Sequence, residues 1–255
     1  MARALTSPLA PSIEAYVAAR RAQGYKFSRE ATELGRLDAL ASDMGWQSAS
    51  LGRELVEAFA SPREGERPGT TESRQSAVRG LGKWLVRRGE DAYVLPKRRL
   101  PRSDFAPVIM SEDEVRSLLS AADSMRVTPR SPHRHVVIPA LLRTVYACGL
   151  RISEALHARV RDMDLGRGVL TIPAENAKFN KGRIVPVSDA LLARLVEYDR
   201  AMGVRGGAAP LFPSPKGFWR TCSVDFIFLG LLSAAGIPHT DDGPTVHSLR
   251  NQELA

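Results

Sequence analysis

Two arginine boxes carry most of the chemistry this chain can offer. The first is Cys148-Gly149-Leu150-Arg151-Ile152-Ser153-Glu154, and the second, far downstream, is His247-Ser248-Leu249-Arg250. A guanidinium is planar, keeps its charge at any accessible pH, and forks onto two oxygens of one phosphate. A pair of them, one with a histidine three residues before it, suits a site that grips a phosphodiester as its charge grows during reaction. The other histidines, His133, His135, His157 and His239, have no such neighbours and are read as structural.

The elements that must hold these boxes can be read from apolar spacing and stop signals. Apolar residues recur with helical period at about 12–23, 28–44, 50–60 and 70–88, with stops at Gly24, Gly45, Ser61-Pro62 and Gly89, which predicts a small all-helical domain over residues 1–95. Residues 96–110 hold three prolines and no helical period, and +3 of the net charge of +8 lies there, so this stretch reads as an extended basic linker. A second domain, 111–255, opens with a capping box, Ser111 to Glu114. A helix from about Val136 to Ala147 should stop at Gly149 and a new one start at Ser153-Glu154, which sets Arg151 in the turn between them. Val169-Leu170-Thr171-Ile172 and Arg183-Ile184-Val185-Pro186-Val187 are β-branched runs that predict an antiparallel hairpin around a polar loop containing Lys178 and Lys181. Ser188 should cap a helix to about Arg200, and a last long helix is expected over about Ser223 to Ala235.

Composition narrows the classes. With 44% hydrophobic and 25% charged residues, the 255-residue chain is globular rather than disordered. The first residues lack the apolar core of a signal peptide, and the longest apolar stretch, near Phe226 to Ile237, is too short to cross a bilayer, so a cytoplasmic protein with no membrane partner is expected. Cys148 and Cys222 match no metal-ligand spacing and read as two buried free thiols. The basic balance favours a polyanion. On the fourth helix Arg74, Arg79, Lys83, Arg87 and Arg88 form either a solvated charged face or one turned to phosphates, and Lys97, Arg98 and Arg99 of the linker are further candidate DNA contacts.

Taken in order, the Gly-Leu-Arg-Ile-Ser-Glu box, the lysine-bearing hairpin Lys178-Phe179-Asn180-Lys181-Gly182-Arg183-Ile184-Val185-Pro186 and the His-x-Leu-Arg box resemble the tyrosine recombinase (phage integrase) family along essentially the whole chain. The resemblance implies a mainly α protein: a helical, SAM-like core-binding domain, then an α+β catalytic domain with a small antiparallel hairpin. It implies double-stranded DNA as partner, cleavage and rejoining through a 3′-phosphotyrosine without metal or nucleotide cofactor, and, in full-length members, a tetramer on paired sites. It implies Arg151 and Arg250 as phosphate clamps and His247 as an aid to proton transfer. The hairpin lysine would protonate the departing 5′-oxygen, a role that suits an ammonium better than a guanidinium; Lys178 is favoured and Lys181, also a candidate DNA contact, is its competitor. Family members carry their nucleophilic tyrosine beyond the second box. Here Tyr16, Tyr25, Tyr93, Tyr146 and Tyr198 all precede His247, and Asn251 to Ala255 depart from the usual continuation. The expectation is therefore a C-terminally incomplete recombinase without a nucleophile, DNA-binding but inactive, or alternatively a non-catalytic remnant or inhibitor of a full-length one. An incomplete end should also leave Leu249 and the residues Phe226, Phe228 and Leu231 short of apolar partners, as a greasy surface patch.

Overall fold

The computed structural model describes residues 4–97, 108–177, 180–240 and 243–254. The chain divides into two compact units, Met1–Phe105 and Ala106–Ala255. Most of the linker, including Arg98 and Arg99, lies outside the described residues.

In the first unit four helices surround one apolar core: α1 (Ala10–Ala22), α2 (Ser28–Asp43), α3 (Arg53–Ala60) and α4 (Pro68–Arg87). Each buries the residues that its periodicity singles out, such as Leu34, Leu37 and Ala41 of α2 and Val78, Leu81 and Leu85 of α4. The approach to α1 is held by a carboxylate from another helix. Asp38, buried in α2, accepts from the backbone N–H groups of Thr6 and Ser7 at 2.8 and 3.0 Å and from the Ser7 hydroxyl.

The basic residues of α4 do not form one face. Arg74 is buried, forks onto both carboxylate oxygens of Glu66 at 2.5 and 2.8 Å, and donates to the Ser61 carbonyl at 2.6 Å. Arg79 donates through Nε to the carbonyl of Leu95 at 2.9 Å, and so ties the segment that leads into the linker back onto α4. That segment also runs beside α3, with the Tyr93 N–H bonded to the Leu51 carbonyl at 2.7 Å. It passes so close to Gly82 that a Cβ there would lie 2.8 Å from the Tyr93 carbonyl oxygen. Of the α4 cations, Lys83, Arg87 and Arg88 remain on the exposed surface.

The second unit begins with α5 (Glu112–Asp123), whose capping box is formed in full: the Ser111 hydroxyl accepts from the Glu114 N–H, and the Glu114 carboxylate accepts from the Ser111 N–H. Then follow α6 (Arg134–Ala147), α7 (Ile152–His157), β1 (Met163–Asp164), β2 (Val169–Ile172), β3 (Arg183–Pro186), α8 (Asp189–Met202), β4 (Pro213–Ser214), β5 (Gly217–Phe218), α9 (Thr221–Ala234) and a 3₁₀ segment, Val246–Leu254. The expected hairpin is present, with Val169 opposite Pro186 and Ile172 opposite Arg183. It is the larger part of a three-stranded antiparallel sheet, because Met163 and Asp164 add a short edge on β2. The β4–β5 pair was not anticipated; two-residue strands leave too little alternation to read. Two further expectations are corrected. Cys222 is exposed in the first turn of α9, and only Cys148 is buried. Leu249 and the α9 residues Phe228 and Leu231 are packed in the core, while Phe226 alone of that group is left 78% exposed on the outer face of α9. No helix among the described residues is long and apolar enough to cross a membrane.

Because Arg74 is buried and Glu66 keeps only 11% of its side chain exposed, removing one leaves the other's charge without its partner. Arg74→Met should destabilise the first unit by about 3–5 kcal/mol, and the double variant Glu66→Leu/Arg74→Met should recover most of that loss. Urea unfolding of the full chain checks both values; a double variant no better than the single one would contradict them.

Candidate phosphate-binding site

The first box is shaped by its glycine. α6 ends at Cys148, and Gly149 takes a left-handed conformation (φ 56°) that lets the Leu150 N–H reach back to the Val145 carbonyl at 3.1 Å. The chain then turns at Arg151, the extended residue before α7. Leu150 and Ile152 on either side are both drawn into the core, so Arg151 between them is turned outward and keeps 30% of its side chain exposed.

Beneath this turn lies Glu154, with none of its side chain exposed. Its Oε2 accepts from the Arg151 backbone N–H at 2.9 Å and from Arg183 Nη2 at 2.8 Å; its Oε1 accepts from Arg151 Nη1 at 2.9 Å and Arg183 Nη1 at 3.0 Å. Burial alone pushes this carboxyl up, but the Arg183 hydrogen bonds, then those from the Arg151 backbone and side chain, outweigh it and hold the group at about 2. The Arg183 guanidinium is raised in turn by its bond to Glu154. In the sequence Glu154 marks only the start of a helix, and Arg183 only a position in the hairpin. The available signal was a charged residue in the inward phase of a strand, since Arg183 and Val185 alternate with the more exposed Ile184 and Pro186.

The second box is built by a different period. Val246–Leu254 is a 3₁₀ segment, and with three residues per turn Val246 and Leu249 fall on one stripe while His247 and Arg250 fall together on the next. The first stripe is buried, Val246 at 1% and Leu249 at 0% exposure, so the second must lie at the edge of the core: His247 is exposed and Arg250 half-buried. Ser248 fixes the entry, its hydroxyl accepting from the Thr245 N–H at 3.0 Å. This segment packs against α6 and α9, and α7 packs against the same two helices. Both boxes are thus carried by one pair of supports. The Asp225 carboxyl on α9 is pushed up by burial, with His247 acting in the opposite direction.

The remaining candidates are less closely placed. Lys178 lies outside the described residues. Lys181 is exposed in the loop before β3, where Asn180 is left-handed (φ 54°) and Gly182 passes so close to the β2 strand that a Cβ would meet the Ile172 carbonyl oxygen at 3.0 Å. Arg87 and Lys97 are exposed on the first unit; Arg88 is exposed too, bonded to Glu90 at 2.8 Å and resting over the Trp84 ring. The tyrosines of the second unit divide. Tyr198 is buried, donates its hydroxyl to the Leu211 carbonyl at 2.6 Å, and is pushed up to about 12, chiefly by burial; Tyr146 on α6 is half-buried.

A mainly helical unit with a small antiparallel sheet, two arginine boxes on shared supports and a lysine-bearing loop defines a class. The Phage integrase family matches residues 109–252, and the chain belongs to that family. It is 28% identical to a Sinorhizobium fredii (strain NBRC 101917 / NGR234) protein described as integrase/recombinase y4rE, over 96% of this chain and 78% of that one. It is 32% identical to tyrosine recombinase XerC of Xylella fastidiosa (strain M23), over 71% of this chain and 63% of the relative, and so spans under two thirds of that protein's length. Among solved structures, the Tn1549 transposon integrase in complex with transposon right end DNA shares the fold with a TM-score of 0.69 at 12% identity, covering 94% of this chain and 84% of that one.

The depressed Glu154 carboxyl makes an acid-stability prediction. A group held at about 2 when folded and near 4.5 when unfolded adds stability that is complete above about pH 4.5 and is lost as pH falls through about 2. Glu154→Gln should therefore flatten the decline in unfolding free energy between those limits, read by urea titration at a series of pH values. An unchanged acid limb would refute the assignment.

Proposed function

We propose that this chain is the DNA-embracing and phosphate-clamping portion of a site-specific tyrosine recombinase. Arg151 and Arg250 bind the non-bridging oxygens of the scissile phosphate, and His247 orients it and assists proton transfer. Lys178, or Lys181 as its competitor, protonates the 5′-oxygen as it leaves. The helical first unit, residues 1–95, and the basic linker, 96–110, with Arg87, Arg88, Lys97, Arg98, Arg99 and Lys181 as contacts, track the duplex backbone. The observation that carries this reading is the shared support of the two boxes: α6 and α9 hold both the Arg151 turn and the His247/Arg250 stripe. Preorganised cations of this kind stabilise charge that develops in the transition state, while the nucleophile is a separate requirement.

That requirement decides between turnover and binding for a polypeptide of these 255 residues. No tyrosine follows Arg250. Tyr198, with its hydroxyl bonded inward and its pKa raised, is not available as a nucleophile. A polypeptide of these 255 residues alone is accordingly proposed to bind DNA without forming a covalent link, and strand exchange is proposed where the family's tyrosine is supplied and members assemble as a tetramer on paired sites.

Binding to a random-sequence duplex, followed by fluorescence anisotropy, should weaken steeply with salt. Each phosphate that the protein no longer neutralises should reduce the log–log slope by about 0.9, so Lys97→Ala, Arg98→Ala and Arg99→Ala together should make it shallower by up to about 2.7. A slope unaffected by all three would remove the linker from the interface. On a denaturing gel the 255-residue chain should give no phosphotyrosyl adduct with nicked duplexes; a band that disappears in Tyr146→Phe would overturn the non-covalent reading and make Tyr146 the nucleophile.

A further inference from the structure

We infer that Arg183 is a positioning residue that keeps Arg151 available to phosphate by occupying the side of Glu154 that Arg151 would otherwise take. The inference rests on the phosphate-clamp reading of Arg151 and concerns what regulates that clamp from within the protein. A carboxylate has two oxygens and room for about four donors. On Glu154 all four places are filled, and each oxygen receives one bond from each arginine. Arg183 brings its two terminal nitrogens as a fork, whereas Arg151 contributes one backbone N–H and one side-chain nitrogen, Nη1. Its Nε and Nη2 make no hydrogen bond to a described residue, and its side chain is 30% exposed.

This division matters because Arg151 is adjacent in sequence to the helix that carries Glu154, and it is the cation best placed to neutralise it. Without the Arg183 fork, a fully buried carboxylate would have two empty acceptor positions and one nearby guanidinium. An unsatisfied buried charge is expensive, so Arg151 would swing onto it with both terminal nitrogens. The geometry that satisfies Glu154 then competes directly with the geometry that binds an external anion. Arg183 removes the competition, and it does so from β3, the strand following the loop that holds Lys181. The Arg183 guanidinium holds Glu154 through both of its terminal nitrogens.

The test uses the 255-residue chain, isotope-labelled, with inorganic phosphate as the probe and the Arg151 Nε–Hε resonance as the readout. In the wild type that resonance should shift on titration. In Arg183→Met the affinity reported by it should fall about tenfold while far-UV circular dichroism is retained. The decisive variant is Glu154→Gln/Arg183→Met, in which nothing remains to capture Arg151: affinity should return to within about threefold of wild type. A purely structural role for Arg183 predicts no such recovery. Should Arg183→Met not fold, Arg183→Lys keeps the charge but loses the fork, and should weaken phosphate about threefold, again with recovery on adding Glu154→Gln. A wild-type response reproduced by the folded Arg183 variants, or a double variant as weak as the single one, overturns this inference alone. No wild-type response overturns the clamp reading and this inference with it.

Discussion

The second unit turns on one buried carboxylate. Glu154 lies under the turn between α6 and α7 with no exposure, and a charge in that position is tolerable only if it is fully hydrogen-bonded and paired. Four donors meet this condition, and they come from two places: the turn itself and strand β3. The consequence is mechanical as well as electrostatic. A helix start and a sheet that are distant in sequence are held in one register by a group that cannot release either partner without incurring a desolvation cost.

The two boxes solve the same positioning problem with different backbone periods. At Arg151 a left-handed glycine ends one helix, and the burial of Leu150 and Ile152 leaves the residue between them at the surface of the turn, over Glu154. At the second box a 3₁₀ segment buries Val246 and Leu249, and its three-residue repeat brings His247 and Arg250 onto one neighbouring stripe. An α-helix would set residues three apart about 60° off register rather than eclipsed. In each case apolar burial, which has no chemical specificity of its own, aims the charged groups.

Much of this was legible in the sequence. Helix limits followed from stop residues and caps: Ser111-Glu114 and Ser188 each cap the helix they were expected to, and the β2–β3 pairing has the predicted strands. What could not be read depends on partners outside the element itself. Arg74 sits among Arg79, Lys83 and Arg87 with nothing local to distinguish it, yet it is buried because Glu66 and the Ser61 carbonyl wait for it in the preceding loop. Cys222 and Phe226 look like core residues by type and lie on the exposed face of α9. Glu154 was legible as a helix start because that role is local, while its bond to Arg183 spans 29 residues and the β2–β3 turn.

An acidic residue beside a proposed phosphate site would ordinarily weaken it. Glu154 avoids this because its charge is matched locally: with Arg151 and Arg183 the triad carries two positive charges and one negative, a net of +1. Without the carboxylate, two guanidiniums held this close would repel each other, and in a partly buried site that repulsion is poorly screened. With it, that repulsion is offset by a charge bonded to both guanidiniums. A carboxyl held at about 2 cannot take up a proton near neutrality, so its charge beside Arg151 stays constant there. In the proposed site the clamp therefore rests on a charge that does not change with pH near neutrality.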